Sequence, residues 1–477
     1  MRRAGGGLRL GRHARSRRGR QERLPRPLRR RAGAGGATAG AAVRRDAAPR
    51  LRRPRPRARG RAVRPGAPAV GARARLPRGD RAARPGRPRL SAAIVSADRP
   101  LYFDWAATAP LRDEARAAWL AASEPEFANA SSLHQWGRRA RAELQRARRG
   151  FAAALGCQRD DLFFTGNGSE ANLLGLAGAV QALLPHRRHV LLSAVEHPSV
   201  VAPLERLAKA GAIELERVPV DRRGRVDPES LEARCRPTTG LVALQAANHE
   251  IGTVQPVAAV AARLRPRGVL LHCDATQALG KIPCTLPALD CDLLVVSPHK
   301  FGGPRGVGVL ARRAGVALST PLSPERQEQG LRGGTEDVAT IVAAAAALHA
   351  TLRDQDEVAL RLTALARRFA AQLTTALPDV TLYSDVEYAL PGLVNFALPD
   401  LRGDWLVTEL DRRGVAVSHG AACASLAAVP SPVLLAIGAL ELAANAIRVS
   451  MGRTTTSDDV DLLVARVVAA VVQLRHR

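Results

Sequence analysis

The chain has 477 residues, 46% of them hydrophobic, enough for a large core, and a formal net charge of +29. Arginines in the first 90 positions, opposed only by Glu22, Asp46 and Asp80, account for nearly all of that charge, so the remainder is close to neutral. The six cysteines are scattered without a CxxC pair, and no apolar run reaches about 18 residues; this argues against a disulfide scaffold, a zinc site or any other metal centre, and a membrane span, and points to the reducing cytoplasm.

Residues 1–95 form an Arg/Gly/Pro-rich stretch with too little apolar surface to offset the entropy of folding, and are expected to be a disordered extension. Arginine-rich tails attract nucleic acid, but the stretch lacks stacking aromatics and a recognition fold, so nucleic-acid binding is not its expected role. A short arm, 96–115, leads into a region of alternating strand and helix patterns. Strands are predicted at 161–164, 189–192, 241–244, 268–271 and 293–297, with helices at 170–184 and 199–210 between them. The alternation predicts an α/β fold: a large domain over 116–350 with a mainly parallel sheet covered by helices, and ligands at the carboxyl ends of its strands. A long helical pattern over 338–377 then leads into a smaller α+β domain, 351–477. That domain has strand patterns at 393–398, 414–418 and 446–450 and helices at 404–413 and after 457.

Lys300 is one of only three lysines, and it follows the apolar run 293–296 in the segment Ser297-Pro298-His299-Lys300-Phe301-Gly302-Gly303-Pro304. Arginine cannot form an imine with an aldehyde, so a lysine at a strand end in so arginine-biased a chain points to amine chemistry with pyridoxal 5'-phosphate. Asp274, in His272-Cys273-Asp274-Ala275-Thr276-Gln277, also ends a strand. It could face a pyridinium nitrogen or simply cap a helix. The turn Thr165-Gly166-Asn167-Gly168-Ser169 hands a strand to a helix; it could hold a phosphate on Gly168 and Ser169, or be a structural turn. Ser297 and His299 could add phosphate contacts beside Lys300.

From Tyr102 onward the chain resembles the cysteine desulfurases of the NifS/IscS type, within the class V aminotransferases of fold-type I. The resemblance rests on motifs in a shared order: 102–110 (YFDWAATAP), 193–197 (SAVEH), 248–256 (NHEIGTVQP), 272–277, 297–303, 330–335 (GLRGGT), 420–423 (GAAC) and 447–453 (IRVSMGR). It implies that Lys300 binds the cofactor aldehyde, Asp274 faces the ring nitrogen, Gln277 contacts the phenolic oxygen and His197 stacks on the ring, with Lys300 or His197 as the catalytic group that moves the substrate α-proton. It also implies that Gly168, Ser169, Ser297 and His299 hold the phosphate, with Thr335 reaching over from the second subunit of a homodimer, and that Arg448 clamps the substrate carboxylate. Asn248 and His249 are further expected cofactor contacts.

Cys423, in the loop Ser418-His419-Gly420-Ala421-Ala422-Cys423, is implied to take sulfur from L-cysteine as a persulfide, leaving L-alanine, and to pass it to a sulfur-acceptor protein for iron–sulfur cluster assembly, transfer-RNA thiolation or a similar use. The chain departs from the family pattern at three places: His249 replaces a second asparagine, Pro324-Glu325-Arg326 replaces a glycine run, and the usual Ser-Gly-Ser-Ala-Cys becomes Ser418-His419-Gly420-Ala421-Ala422-Cys423, which loses two hydroxyls. Competing readings are a selenocysteine lyase or another class V aminotransferase-like enzyme, and, in a different class, a non-catalytic sulfur-transfer scaffold or a nucleic-acid binder acting through the basic tail.

Overall fold

A computed structural model describes residues 99–124, 127–319, 327–420 and 430–476, all in one compact unit. The extension expected at 1–95, the 324–326 departure and Cys423 lie outside the described residues. The arm begins with β1 (Leu101–Tyr102) and passes into α1 (Asp113–Ser123) and α2 (Gln135–Leu155). The amphipathic α2 is capped by His134 Nδ1, which accepts from Gly137 N at 3.2 Å, and stops at Gly156 in the left-handed region.

Next come β2 (Leu162–Thr165), α3 (Gly168–Leu183), β3 (His189–Ser193), α4 (Pro198–Lys209), β4 (Glu214–Val218), α5 (Pro228–Ala233) and β5 (Thr239–Ala243). They are followed by α6 (Val257–Leu264), β6 (Leu270–Asp274), α7 (Leu286–Leu289), β7 (Leu293–Val296) and β8 (Gly308–Arg312). These strands make one seven-stranded sheet in the order β2-β8-β7-β6-β5-β3-β4. Only β8 runs against its neighbours; the pairs from β7 through β6, β5 and β3 to β4 are all parallel. Continuous apolar runs such as Leu293–Val296 suit strands buried on both faces. One face packs on a core that includes Phe151, Leu271, Leu294 and Leu348, and the other on Leu176, Leu192, Leu204 and Leu241.

The 39-residue α8 (Val338–Ala376) continues from the sheet's core into a second one. Ile341, Ala344 and Leu348 belong to the first, and Leu362, Phe369 and Leu373 to the second. The rest of the chain builds β9 (Thr381–Leu382), β10 (Leu393–Ala397), α9 (Gly403–Arg412), β11 (Val415–Ala416), α10 (Pro432–Ala436), β12 (Ile447–Ser450) and α11 (Ser457–Arg475). An antiparallel sheet β12-β10-β9 packs against α8 and α11, with Phe396 against Phe369 at a ring separation of 6.0 Å. The arm joins this second core: β1 pairs in parallel with β11, and Leu101 and Phe103 are buried in it.

A buried ion pair fastens the turn ahead of α8. Arg148 on α2 grips Glu328 with both arms of its guanidinium, at 2.6 and 2.7 Å, while Glu328 also accepts from Phe164 N at 2.9 Å. Both side chains are almost completely buried, and Glu328 is in the left-handed region at φ 45°. Among the described residues, no helix is long and apolar enough to cross a membrane.

Candidate active site

The carboxyl ends of β6 and β7 and the start of α3 surround a cavity of about 270 Å³. Lys300 follows β7 in a single 3-10 turn that Pro298 opens, and Asp274 is the last residue of β6. One rim of the cavity is the start of α3, where Asn167 Oδ1 accepts from Glu170 N at 2.9 Å. Gly168 lies so close to Ser297 that a Cβ there would sit 3.0 Å from the serine Cβ and crowd the rim. Ser169, Thr276, Ser297 and His299 complete a rim of hydroxyl and imidazole groups.

Asp274 is held from two sides: Thr276 N donates to Oδ1 at 2.9 Å and Asn172 Nδ2 to Oδ2 at 2.8 Å. Asn172 uses the same amide nitrogen to donate to Ser199 Oγ at 3.0 Å. His197 caps α4, its Nδ1 accepting from Ser199 N at 3.1 Å and lying 2.7 Å from Ser199 Oγ. An acceptor Nδ1 puts the proton of the neutral ring on Nε2, and burial lowers the imidazole pKa, keeping the ring neutral. His249 meets His197 edge-on at a ring separation of 5.0 Å. It is buried, neither ring nitrogen has a hydrogen-bond partner, and burial followed by the charges nearby holds its pKa well below the usual histidine range.

The arm supplies acceptors to the site's cations. Lys300 Nζ donates to Ala106 O at 2.7 Å and Ala107 O at 2.8 Å, and Gln277 Nε2 donates to Ala106 O at 2.9 Å. Arg448, in the middle of β12 and almost wholly buried, donates from Nη1 to His249 O at 2.8 Å and from Nη2 to Asp104 Oδ1 at 2.7 Å. The arm is seated by Ser450, whose N donates to Phe103 O at 2.8 Å and whose Oγ accepts from Ala106 N at 2.9 Å. It is also seated by Trp105, whose indole lies against Gly452 with no room for a Cβ between them.

The family model for aminotransferase class V matches residues 101–463. The chain belongs to the aminotransferase class-V family. Among class-V relatives, the cysteine desulfurase IscS of Dictyoglomus turgidum is 37% identical over 364 residues, which cover 76% of this chain and 92% of the relative. A solved NifS-like protein superposes with a TM-score of 0.74 at 30% identity, covering 78% of this chain and all of that one. A solved structure described as SspA in complex with cysteine gives 0.65 at 26% identity, covering 75% of this chain and all of the other. The α/β architecture expected from the sequence is therefore that of the class-V family.

The residues present fit the pyridoxal phosphate that class-V chemistry calls for. The cavity has hydroxyls and a helix start at one end, a braced carboxylate, and a lysine amine, while the buried His249 nitrogens and Asn172 Oδ1 have no protein partner. Of the expected class-V site residues, Gly168, Ser169, His197, His249, Asp274, Gln277, Ser297, His299, Lys300 and Arg448 all line the cavity. Two do not. Asn248 is a brace rather than a cofactor contact: its Nδ2 donates to Val195 O at 3.0 Å and its Oδ1 accepts from Glu250 N and Ile251 N at 2.8 and 2.9 Å. Thr335 is exposed, away from the cavity lining, with Asn129 Nδ2 at 3.4 Å from its hydroxyl. Sequence reasoning missed Asn172, Ser199, Gln245 and the Ala106 and Ala107 carbonyls. Asn172 stands one turn inside α3 and Ser199 is the second residue of α4, so their nearness to helix starts at strand ends was the available signal.

Proposed function

We propose that this protein is a pyridoxal-phosphate-dependent cysteine desulfurase that converts L-cysteine to L-alanine and moves the sulfur first to Cys423 and then to an acceptor thiol. The observation that carries the reading is the grouping of Lys300, Asp274, His197 and Arg448 around one cavity in a chain whose relatives are cysteine desulfurases.

Lys300 would hold the cofactor through its aldehyde, the α3 start with Ser297 and His299 would take the phosphate, and Asp274 would face the ring nitrogen. When bound, the pyridoxal group supplies an electron sink for the charge left at the substrate's α-carbon. Arg448 orients the substrate by its carboxylate. Because His197 Nδ1 is occupied as an acceptor and Nε2 carries the proton, the imidazole is a poor base here, and Lys300 Nζ is the group that removes the α-proton. Neutral His197 would support the cofactor and could offer its Nε2 proton. The Cys423 thiolate takes the sulfur as the cysteine Cβ–S bond breaks, and the acceptor protein collects it by thiol exchange in a reducing, cytoplasmic setting.

A homodimer suits the exposed apolar side chains Trp119, Leu120, Phe127, Leu133 and Trp136, which a second copy would cover, and the surface position of Thr335, which could then serve the partner's site. The acceptor would belong to iron–sulfur cluster assembly or transfer-RNA thiolation. The test is to incubate the purified protein with L-cysteine, quantify alanine, and look by mass spectrometry for one added sulfur atom on the peptide containing Cys423. Equal alanine and acceptor-bound sulfur from the parent and its Cys423→Ala variant would refute the nucleophile, and absence of alanine from the parent would refute the reaction.

A further inference from the structure

The guanidinium assigned to the substrate carboxylate already holds a carboxylate. Arg448 Nη2 lies 2.7 Å from Asp104 Oδ1 and Nη1 donates to the His249 carbonyl, while the buried Nε has no partner. The two partners differ in their access to water. The Arg448 side chain is 2% exposed and that of Asp104 21%, so the carboxylate has a route to solvent that the arginine lacks.

The backbone around Asp104 is fixed. Its neighbour Phe103 donates to Ala416 O at 2.8 Å and accepts from Ser450 N at 2.8 Å, and Asp104 itself bridges to Ser450 in parallel register. Exchange at Arg448 therefore needs only a turn of the Asp104 side chain about its own bonds, with the arm in place. An α-carboxylate arriving at Arg448 would put two negative charges on one guanidinium, and within a few ångströms in a partly dry site such charges repel strongly.

We propose that Asp104 is an internal stand-in that occupies Arg448 until a substrate carboxylate displaces it. The inference rests on the reading that Arg448 receives the substrate. Its consequence is a threshold of occupancy: displacing Asp104 weakens every carboxylate alike, and a simple carboxylate must overcome that with one group alone. An amino acid can offset that competition through its amine at Lys300 and the cofactor. Asp104 thus screens the cavity against the many small carboxylates that share the arginine's chemistry and lack the amine.

The probe is propionate, which has the carbon skeleton of the substrate without its amine or thiol. Calorimetric titration into the cofactor-loaded protein is expected to give weak binding for the parent and for Asp104→Glu, and binding about tenfold tighter for Asp104→Asn, as expected for release of a charged hydrogen-bonded competitor. Asp104→Ser, also uncharged, carries the same expectation and serves if the asparagine variant does not fold. In parallel, KM for L-cysteine should fall in the uncharged variants by a larger factor than kcat changes. Propionate binding no tighter in the uncharged variants than in the parent, or a raised KM, overturns the stand-in role. Adding Arg448→Gln to Asp104→Asn separates the two readings: binding that survives the second change means that Arg448 is not the carboxylate site, and the assignment beneath this inference falls with it.

Discussion

Asn172 donates to Asp274 Oδ2 across 2.8 Å and, with the same amide nitrogen, to Ser199 Oγ, so one side chain on α3 sets both the carboxylate at the end of β6 and the histidine cap of α4. Asn172→Ala removes a hydrogen bond to a charged group and leaves buried polar atoms unpaired, worth about 1.5–3 kcal/mol. The expected outcome is a fall in kcat/KM of about ten- to a hundredfold with a shift in the cofactor's visible absorbance. Asn172→Asp, which sets a second carboxylate against Asp274, should be worse, and steady-state kinetics with absorbance spectra check both.

The Arg148–Glu328 pair should dominate the stability of the turn before α8. Glu328→Gln leaves a buried guanidinium without its counter-charge, which costs about 3–5 kcal/mol. The denaturant midpoint should drop accordingly. Replacing both residues with apolar side chains of similar volume should recover much of the loss.

Stability should decline on the acid side through buried histidines. Burial lowers the pKa of His249 and His272, and that of His299 falls to about 4 through burial followed by the charges of Lys300 and Arg305. In the window below the ordinary histidine value of 6.5, the unfolded chain binds these protons and the folded chain does not. The stabilisation present above that value is therefore lost as pH falls. Melting temperature measured from pH 7 to pH 4 (roughly the range over which histidines titrate) should decrease, and His272→Leu should flatten the decrease.

Lys281 should act in the alkaline range. Its ammonium donates to Gln277 Oε1 at 3.4 Å, and burial, followed by the positive charges of Lys300 and Arg448, pushes its pKa down to about 7. Between that value and the ordinary lysine value of 10.5 the unfolded chain binds the proton and the folded chain does not, so this residue makes stability rise with pH across that window. Lys281→Met should remove that rise in a melting series, and a slope unchanged by the substitution would contradict the placement of the charge.

Lys300 and Asp274 could be found from sequence because each lies at or just beyond an apolar strand, where alternation of strands and helices already places a ligand, whereas Gln277 came only from the family resemblance. Strand β8 was not predicted, since nothing in a short apolar run states its direction, and its reversal appears only through pairing with β7 and β2. The Ala106 and Ala107 contacts belong to backbone carbonyls, which leave no mark on residue identity. Asn172 reaches Asp274 only because α3 packs beside the sheet, a relation of distant segments. Neighbouring positions 248 and 249 have opposite roles, one folded back on Val195 and the other facing the cavity, because the turn between them sends successive side chains to different sides. Arg448 was found by motif, while its engagement with Asp104 depends on the arm's path between β11 and β12.

The indole of Trp105 rests against Gly452, and the smallness of that glycine has reach beyond packing. Even one methyl group at 452 would lever the tryptophan outward and carry the neighbouring peptide units with it. Lys300 would lose its carbonyl tethers and Arg448 its carboxylate in the same displacement. A substitution that alters no polar group would then present in the laboratory as a chemical defect, with cofactor retention and substrate selection failing together.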